Sequence, residues 1–166
     1  HSRKVKLEDL DTLMNNAGIS QEESEIVKLL YTSEGTYLTH NSSYKMFYDG
    51  REAFDSIIQD LESAKETIYM EYFIWRSDGL GEKVKDVLVK KAKEGVKIRL
   101  LFDGMGSFGT ISEKYRKELA KVGVEFKYFL DIKFALSKLN YRNHRKITIV
   151  DNKILHTGGM NLGEEY

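Results

Sequence analysis

Residues 67–74 read T-I-Y-M-E-Y-F-I, an apolar run with the length of a buried strand. Two further strand-like runs follow, V-K-I-R-L-L-F at 96–102 and V-E-F-K-Y-F at 124–129. Stretches of helical periodicity separate and precede these runs. Their apolar stripes are Ala53, Ile57, Leu61 and Ala64; Val84, Val87, Leu88 and Ala92; and Ile111, Tyr115, Leu119 and Val122. This alternation predicts βαβ units and a largely parallel sheet, with helices covering both faces.

The end of the chain departs from that rhythm. A strand is predicted through N-H-R-K-I-T-I-V-D at 143–151, and a second short strand at 153–157 follows Asn152. Two strands joined so closely form a hairpin, which is antiparallel. The predicted fold is therefore α/β, with a mixed, mostly parallel sheet flanked by helices.

The first part of the chain is predicted to be separate. Residues 1–43 form a helical and loop segment, in which Ser20 and Glu23 have the spacing of a capping box. A short aromatic strand is expected at 44–48, ending at the turn pair Asp49 and Gly50. The remaining residues, 44–166, are assigned to the α/β part of the chain.

Composition excludes several classes of function. Among 166 residues, 26 are Lys or Arg and 26 are Asp or Glu, which argues against a protein that holds nucleic acid through a basic surface. The chain has no cysteine, so it has no disulfide, thiol nucleophile or zinc–thiolate site. It contains no apolar run long enough to cross a bilayer, which predicts a soluble piece.

The chemistry is concentrated at His144, Lys146 and Asp151, which have the spacing H-x-K-x4-D. Side chains alternate along a strand, so the imidazole and the ammonium share one face and Asp151 lies on the other. A neutral imidazole is a competent nucleophile toward phosphorus, and the ammonium can bind the phosphate oxygens. No metal or other cofactor is needed, because the protein supplies the cations. Asp151 is interpreted as structural.

Other polar residues have simpler interpretations. His156 is expected to be packed or at a solvent edge, and His40 to be solvated. The lysines at 90, 91 and 93 are predicted to form a solvated helix face, with contact to an anionic membrane surface as the alternative. Glu71 lies inside an apolar strand, so it is either ion-paired or functional. Four aromatic residues are assigned to packing; they are Tyr69, Tyr72, Phe73 and Trp75.

The segments N-H-R-K-I-T-I-V-D at 143–151 and G-G-M-N-L-G-E-E-Y at 158–166 resemble the first H-x-K-x4-D motif of the phospholipase D superfamily. The form of the motif is similar to that of bacterial cardiolipin synthases. The resemblance continues upstream through Y-D-G-R-E-A-F at 48–54, A-K-E-T-I-Y-M-E-Y-F-I at 64–74 and K-A-K-E-G-V-K-I-R-L-L-F-D-G-M-G-S at 91–107.

This resemblance implies roles for individual residues. His144 would be the nucleophile or its acid–base counterpart. Lys146 and Asn161 would bind phosphate, and Gly158 and Gly159 would shape its pocket. The remaining candidates for substrate binding, near the carboxyl ends of the strands, are Glu71, Asp103 and Ser107.

The resemblance also implies a reaction. The complete enzyme would make cardiolipin from two phosphatidylglycerol molecules, releasing glycerol through a phosphohistidine, at the cytoplasmic side of the cell membrane. Superfamily members build the site from two motifs, and this chain has one. We therefore expect an incomplete domain, inactive without the second-motif half of the polypeptide. The alternatives are a phospholipase D-type phosphodiesterase or nuclease, and a non-catalytic module that binds phosphate or anionic lipid.

Overall fold

The computed structural model describes residues 7–16, 18–34, 43–129 and 143–166. The chain divides into two compact units, His1–Met46 and Phe47–Tyr166. The first unit contains helices α1 (Leu7–Asn16) and α2 (Gln21–Glu34). Ser20 and Glu23 form the predicted capping box: each backbone N–H donates to the other side chain, at 2.9 Å and 3.3 Å.

The strand predicted at 44–48 is wrong. These residues form no regular element, and the side chains of Tyr44 and Tyr48 are 91% and 90% exposed. The segment leads directly into a helix, because the carboxylate of Asp49 accepts the backbone N–H groups of Arg51 and Glu52. Tyrosine side chains this exposed do not supply the packing on which a strand depends.

The second unit alternates helices and strands as predicted. Its elements are α3 (Gly50–Ser63), β1 (Thr67–Tyr72), α4 (Gly79–Lys93), β2 (Lys97–Asp103), α5 (Glu113–Lys121), β3 (Glu125–Phe129), β4 (Lys146–Val150) and β5 (Ile154–Thr157). The five strands form one sheet in the order β3-β2-β1-β4-β5. β1, β2 and β3 are parallel, and β4 is antiparallel to both β1 and β5. The mixed sheet and its terminal hairpin are confirmed.

The reversed direction of β4 determines where the site lies. Lys146, the first residue of β4, pairs with Tyr72, the last residue of β1. The beginning of β4 therefore lies at the carboxyl edge of the parallel strands. Residues that precede β4 meet the loops that follow β1 and β2, which is where open α/β sheets bind ligands.

The hydrophobic core lies between one face of the sheet and helices α3, α4 and α5. Its largest fully buried side chains in this unit include Trp75, Phe102 and Tyr115, each at 0% exposure. The indole N–H of Trp75 donates to the hydroxyl of Tyr115 at 2.8 Å, and that hydroxyl donates to the carbonyl of Gly81 at 2.8 Å. The polar tips of both aromatic rings are thus satisfied inside the core.

The opposite face of the sheet is open within the described ranges. It forms a groove of about 790 Å³, lined in part by Tyr69, Glu71, Leu101, Ile147 and Ile149. Within the second unit, the described helices α3, α4 and α5 pack on one face, so the predicted cover on the other face is not seen among the described residues of this unit. Apolar side chains do occupy this second face of the sheet, but a sequence pattern does not show what covers them.

Candidate functional site

His144 and Lys146 both contact the ring of Phe73. The centroid of the His144 imidazole lies 4.7 Å from that of the Phe73 ring, and Nζ of Lys146 lies 5.4 Å from the same centroid. His144 is exposed, whereas Lys146 is only 4% exposed and its Nζ donates to the carbonyl of His144 at 2.9 Å. An accessible imidazole and a buried ammonium thus lie side by side.

The burial of Lys146 has an electrostatic consequence. Removal from water lowers the pKa of its ammonium below the usual value for lysine. Nζ hydrogen-bonds to a carbonyl and lies over an aromatic face, and neither group carries a full negative charge. An anion such as a phosphodiester would supply that charge and stabilise the ammonium. The position is therefore suited to binding an anion beside His144.

The same face of β4 continues into the core beneath the site. Thr148 is fully buried, and its Oγ1 lies 3.0 Å from the hydroxyl of Tyr72 on β1. Burial raises the pKa of Tyr72 to about 12, so this hydroxyl stays neutral at physiological pH. The pair gives the floor of the site a satisfied polar contact, which the sequence analysis did not identify.

Asn161 and Ser107 both hold the backbone that follows β1. Asn161 accepts the N–H of Ile74 at 3.0 Å through Oδ1, and its Nδ2 donates to the hydroxyl of Tyr166 at 2.8 Å. Ser107 accepts the N–H of Trp75 at 3.1 Å and donates to the carbonyl of Phe73 at 3.1 Å. Both side chains reach the edge of the site, but their described partners are protein groups. Phosphate binding by Asn161 stays a prediction.

Asp103 and Glu71 are joined to the site through Asn143. One oxygen of Asp103 accepts the N–H groups of Met105 and Gly106, at 3.0 Å and 2.9 Å. The other accepts the N–H of Asn143 at 3.3 Å. The side-chain amide of Asn143 donates to the carboxylate of Glu71. The described partner of Glu71 is therefore an amide rather than the lysine or arginine that the sequence analysis expected.

The glycines near the site differ in the space that a side chain would have at each position. A Cβ on Gly158 or Gly159 would meet no heavy atom within 4 Å, so the described residues impose no steric need for glycine there. A Cβ on Gly106 would instead lie 2.3 Å from the carbonyl oxygen of Phe73. Gly106 lets the β2–α5 loop pass directly over the Phe73 backbone, a close contact that its sequence position alone does not reveal.

His156 and Lys91 each form a polar contact with a carboxylate. His156, on β5, places Nε2 2.7 Å from a carboxylate oxygen of Asp60 on α3. Lys91 is 7% exposed and donates to Glu94 at 2.6 Å, so it is not part of a solvated lysine surface. Lys90 and Lys93 are exposed. His40 lies outside the described residues.

Asp151 lies at the far end of β4 and binds the start of β1. Its carboxylate accepts three backbone N–H groups, from Lys65 at 2.9 Å and from Glu66 and Thr67 at 2.8 Å each. These bonds, that from Thr67 first, hold the pKa of Asp151 below its usual value of 3.8. The contact joins residues more than 80 positions apart in sequence and is made far from His144.

Asp151→Asn is expected to lower the free energy of unfolding by about 2 kcal/mol at pH 7, because an amide oxygen replaces a charged acceptor and its NH₂ faces a backbone donor. Asn tolerates the positive φ of 50° at this position. Since the folded-state pKa is lowered, the stabilisation is fully present above 3.8 and is lost as pH falls through the folded value.

Urea titrations at pH 7 and pH 3, followed by the fluorescence of the single buried tryptophan, Trp75, measure this difference. The gap between wild type and variant should shrink at the lower pH. Asp55→Asn, at an exposed carboxylate on α3, is the matched control and should stay near wild type. An equal loss of stability at both pH values would contradict a charge-dependent role for Asp151.

Among the described residues, no three His, Asp or Glu side chains come together as potential metal ligands. In the same part of the chain, none of the helices has the length and apolar character needed to span a bilayer.

The architecture defines a phospholipase D-like fold. Nuc of Salmonella typhimurium, a phospholipase D family member, matches with a TM-score of 0.53 and 23% identity, over 66% of this chain and 64% of that one. NucT of Helicobacter pylori matches with a TM-score of 0.53 and 22% identity, over 74% of each chain. At these identities the likeness establishes the fold.

The sequence places the chain more narrowly. Residues 57–166 match the family described as cardiolipin synthase, PLD-like domain, and the chain belongs to that family. The cardiolipin synthase of Oceanobacillus iheyensis is 41% identical over 87% of this chain, and the major cardiolipin synthase ClsA of Bacillus subtilis is 36% identical over 98%. The chain spans 30% and 34% of the length of these relatives. The resemblance predicted from the motif is confirmed.

Proposed function

We propose that this chain supplies one half of the active site of a phosphatidyltransferase that makes cardiolipin. The observation that carries the proposal is the pairing of exposed His144 with buried Lys146 at the carboxyl edge of the sheet, in a chain of this family. The donor and the acceptor are both phosphatidylglycerol, and glycerol is the second product. The complete protein would work at the cytoplasmic side of the cell membrane, on an anionic surface.

The reaction proceeds in two displacements at phosphorus. A ring nitrogen of His144 attacks the phosphorus of one phosphatidylglycerol, and the bond from phosphorus to the glycerol oxygen breaks. The leaving alkoxide takes a proton from the histidine of a second motif in the complete protein. A hydroxyl of the second phosphatidylglycerol then attacks the phosphohistidine and returns that proton. Cardiolipin leaves, and the His144 nitrogen is restored.

Lys146 stabilises both displacements by charge. In each transition state the non-bridging oxygens of phosphorus gain negative character. An ammonium that is already buried and fixed beside them lowers the energy of that state without first having to be desolvated. Asn161 is proposed as a further ligand, since its NH₂ group has a second N–H besides the one that binds Tyr166. Asp151 acts on the fold alone.

A phosphodiesterase is the second candidate, because the same two residues would serve it. Water would then replace the second lipid as the acceptor, and phosphatidic acid would form in place of cardiolipin. The exposure of His144 favours this candidate, because water can reach the imidazole in the described part of the chain. The two reactions share their first step and differ in the acceptor.

The deciding experiment supplies phosphatidylglycerol vesicles to a full-length protein that carries this chain. We expect cardiolipin and glycerol in equal amounts, and no turnover by the 166-residue chain alone. Phosphatidic acid as the main product would favour the phosphodiesterase. Binding of vesicles without either product would favour a non-catalytic lipid-binding module, and cleavage of DNA with lipid ignored would favour a nuclease.

A further inference from the structure

The ring of Phe73 is shared by the two reactive side chains. The His144 imidazole packs against it with an angle of 56° between the ring planes, and the Lys146 ammonium lies over it, 5.4 Å from its centroid. A cation at that distance is attracted by the negative face of an aromatic ring. One phenyl ring thus contacts both an exposed side chain and a buried one.

The backbone of Phe73 is held more firmly than its position after the end of β1 would suggest. Its carbonyl accepts the hydroxyl of Ser107, and the same hydroxyl accepts the N–H of Trp75. Gly106 allows the β2–α5 loop to lie against that carbonyl. On the other side, Asn161 holds the N–H of Ile74. The three residues that follow β1, Phe73, Ile74 and Trp75, therefore cannot shift without breaking contacts to two separate loops.

We propose that Phe73 is a positioning residue, a fixed aromatic platform that sets the orientation of the His144 imidazole relative to the Lys146 ammonium. The exposed imidazole has few other described contacts that could orient it. Ser107 and Gly106 serve the site through this platform, by fixing the backbone that carries the ring. The inference rests on the proposed function for its catalytic consequence, but the geometry stands apart from it.

In the full-length protein, Phe73→Leu is expected to lower kcat for cardiolipin formation about 10- to 100-fold, because a misplaced nucleophile loses its attack geometry. KM for phosphatidylglycerol should change little, since the Lys146 charge remains. Phe73→Tyr keeps the ring and should restore kcat to within about threefold. The matched control is Tyr69→Leu, which removes an aromatic ring from the open face of β1, opposite the face that Tyr72 and Lys146 share, and should leave kcat unchanged.

A second readout needs no turnover. In NMR spectra of this chain with labelled histidine, the ring current of Phe73 should displace the His144 ring signals from their ordinary positions. Phe73→Leu should return them, while the His156 signals stay in place. If Phe73→Leu does not fold, Phe73→Met removes the ring at similar volume and must give the same result.

Undisplaced His144 signals in the wild type, or wild-type kcat in both ring-less variants, would overturn the proposal. A full-length protein that makes no cardiolipin would instead remove the proposed function and leave the NMR result to decide the role of Phe73.

Discussion

His144→Gln in the full-length protein is expected to reduce cardiolipin synthesis by on the order of 10⁴-fold or more, because the amide of Gln is not a nucleophile toward phosphorus and does not carry a proton at neutral pH. The side chain is exposed, so its replacement leaves the core intact. Lys146 keeps its place on Phe73, and phosphatidylglycerol should still bind. The measurement is the initial rate of cardiolipin formation from labelled phosphatidylglycerol vesicles.

The matched control for this variant is His156→Gln. His156 lies opposite Thr148 on the adjacent strand of the same hairpin, and its ring contacts Asp60 on α3 rather than Phe73. Its loss should change the rate by no more than a few-fold. Synthesis that persists at a tenth of the wild-type rate in His144→Gln would rule out both the nucleophilic and the acid–base role.

Lys146→Met is expected to lower kcat by about 10²- to 10³-fold, the usual effect of removing one preorganised charge from the transition state of a group transfer. Met has an unbranched side chain of similar length, so it preserves the packing against Phe73 and removes only the ammonium. Because the position is 4% exposed, Lys146→Arg should fail as well, since a guanidinium is larger than the space available.

The control here is Lys153→Met, which removes an exposed lysine from the turn of the same hairpin. It should leave the rate within about twofold, as is usual for surface substitutions. Single-turnover measurements separate binding from chemistry. If Lys146→Met raised KM and left kcat unchanged, the ammonium would act in binding the ground state, and its proposed role in the transition state would be wrong.

The elements of the second unit could be predicted because their signals are local. Apolar residues at helical spacing gave α3, α4 and α5, and two strand-like runs separated only by Asn152 gave the β4–β5 hairpin, although β4 itself begins at Lys146 and not at Asn143. The placement of His144 beside Lys146 followed from the alternation of side chains near a strand. The three backbone N–H partners of Asp151 did not follow from that rule.

What the sequence did not predict depends on contacts between distant residues. Ser107 lies 34 residues from Phe73, and Asn143 lies 72 residues from Glu71, so no spacing rule connects them. Phe73 was assigned to packing because an aromatic residue after a strand is usually part of a core. Only the sheet order, with β4 beside β1, shows that this ring lies between the two reactive residues.

Because β4 runs antiparallel to β1, the number of residues between Lys146 and Asp151 determines which ends of β1 these two side chains reach. Lys146 and Asp151 are five positions apart, and at about 3.3 Å per position they lie some 16 Å apart, so the motif spans β4 from one end to the other. The spacing places the proposed phosphate-binding lysine at one end of β4 and the aspartate that binds the start of β1 at the other. One residue more or fewer would leave Asp151 anchored and turn the lysine to the open face, because the parity of the strand would change. The spacing of the motif therefore matches the length of the strand that carries it, in addition to supplying reactive groups.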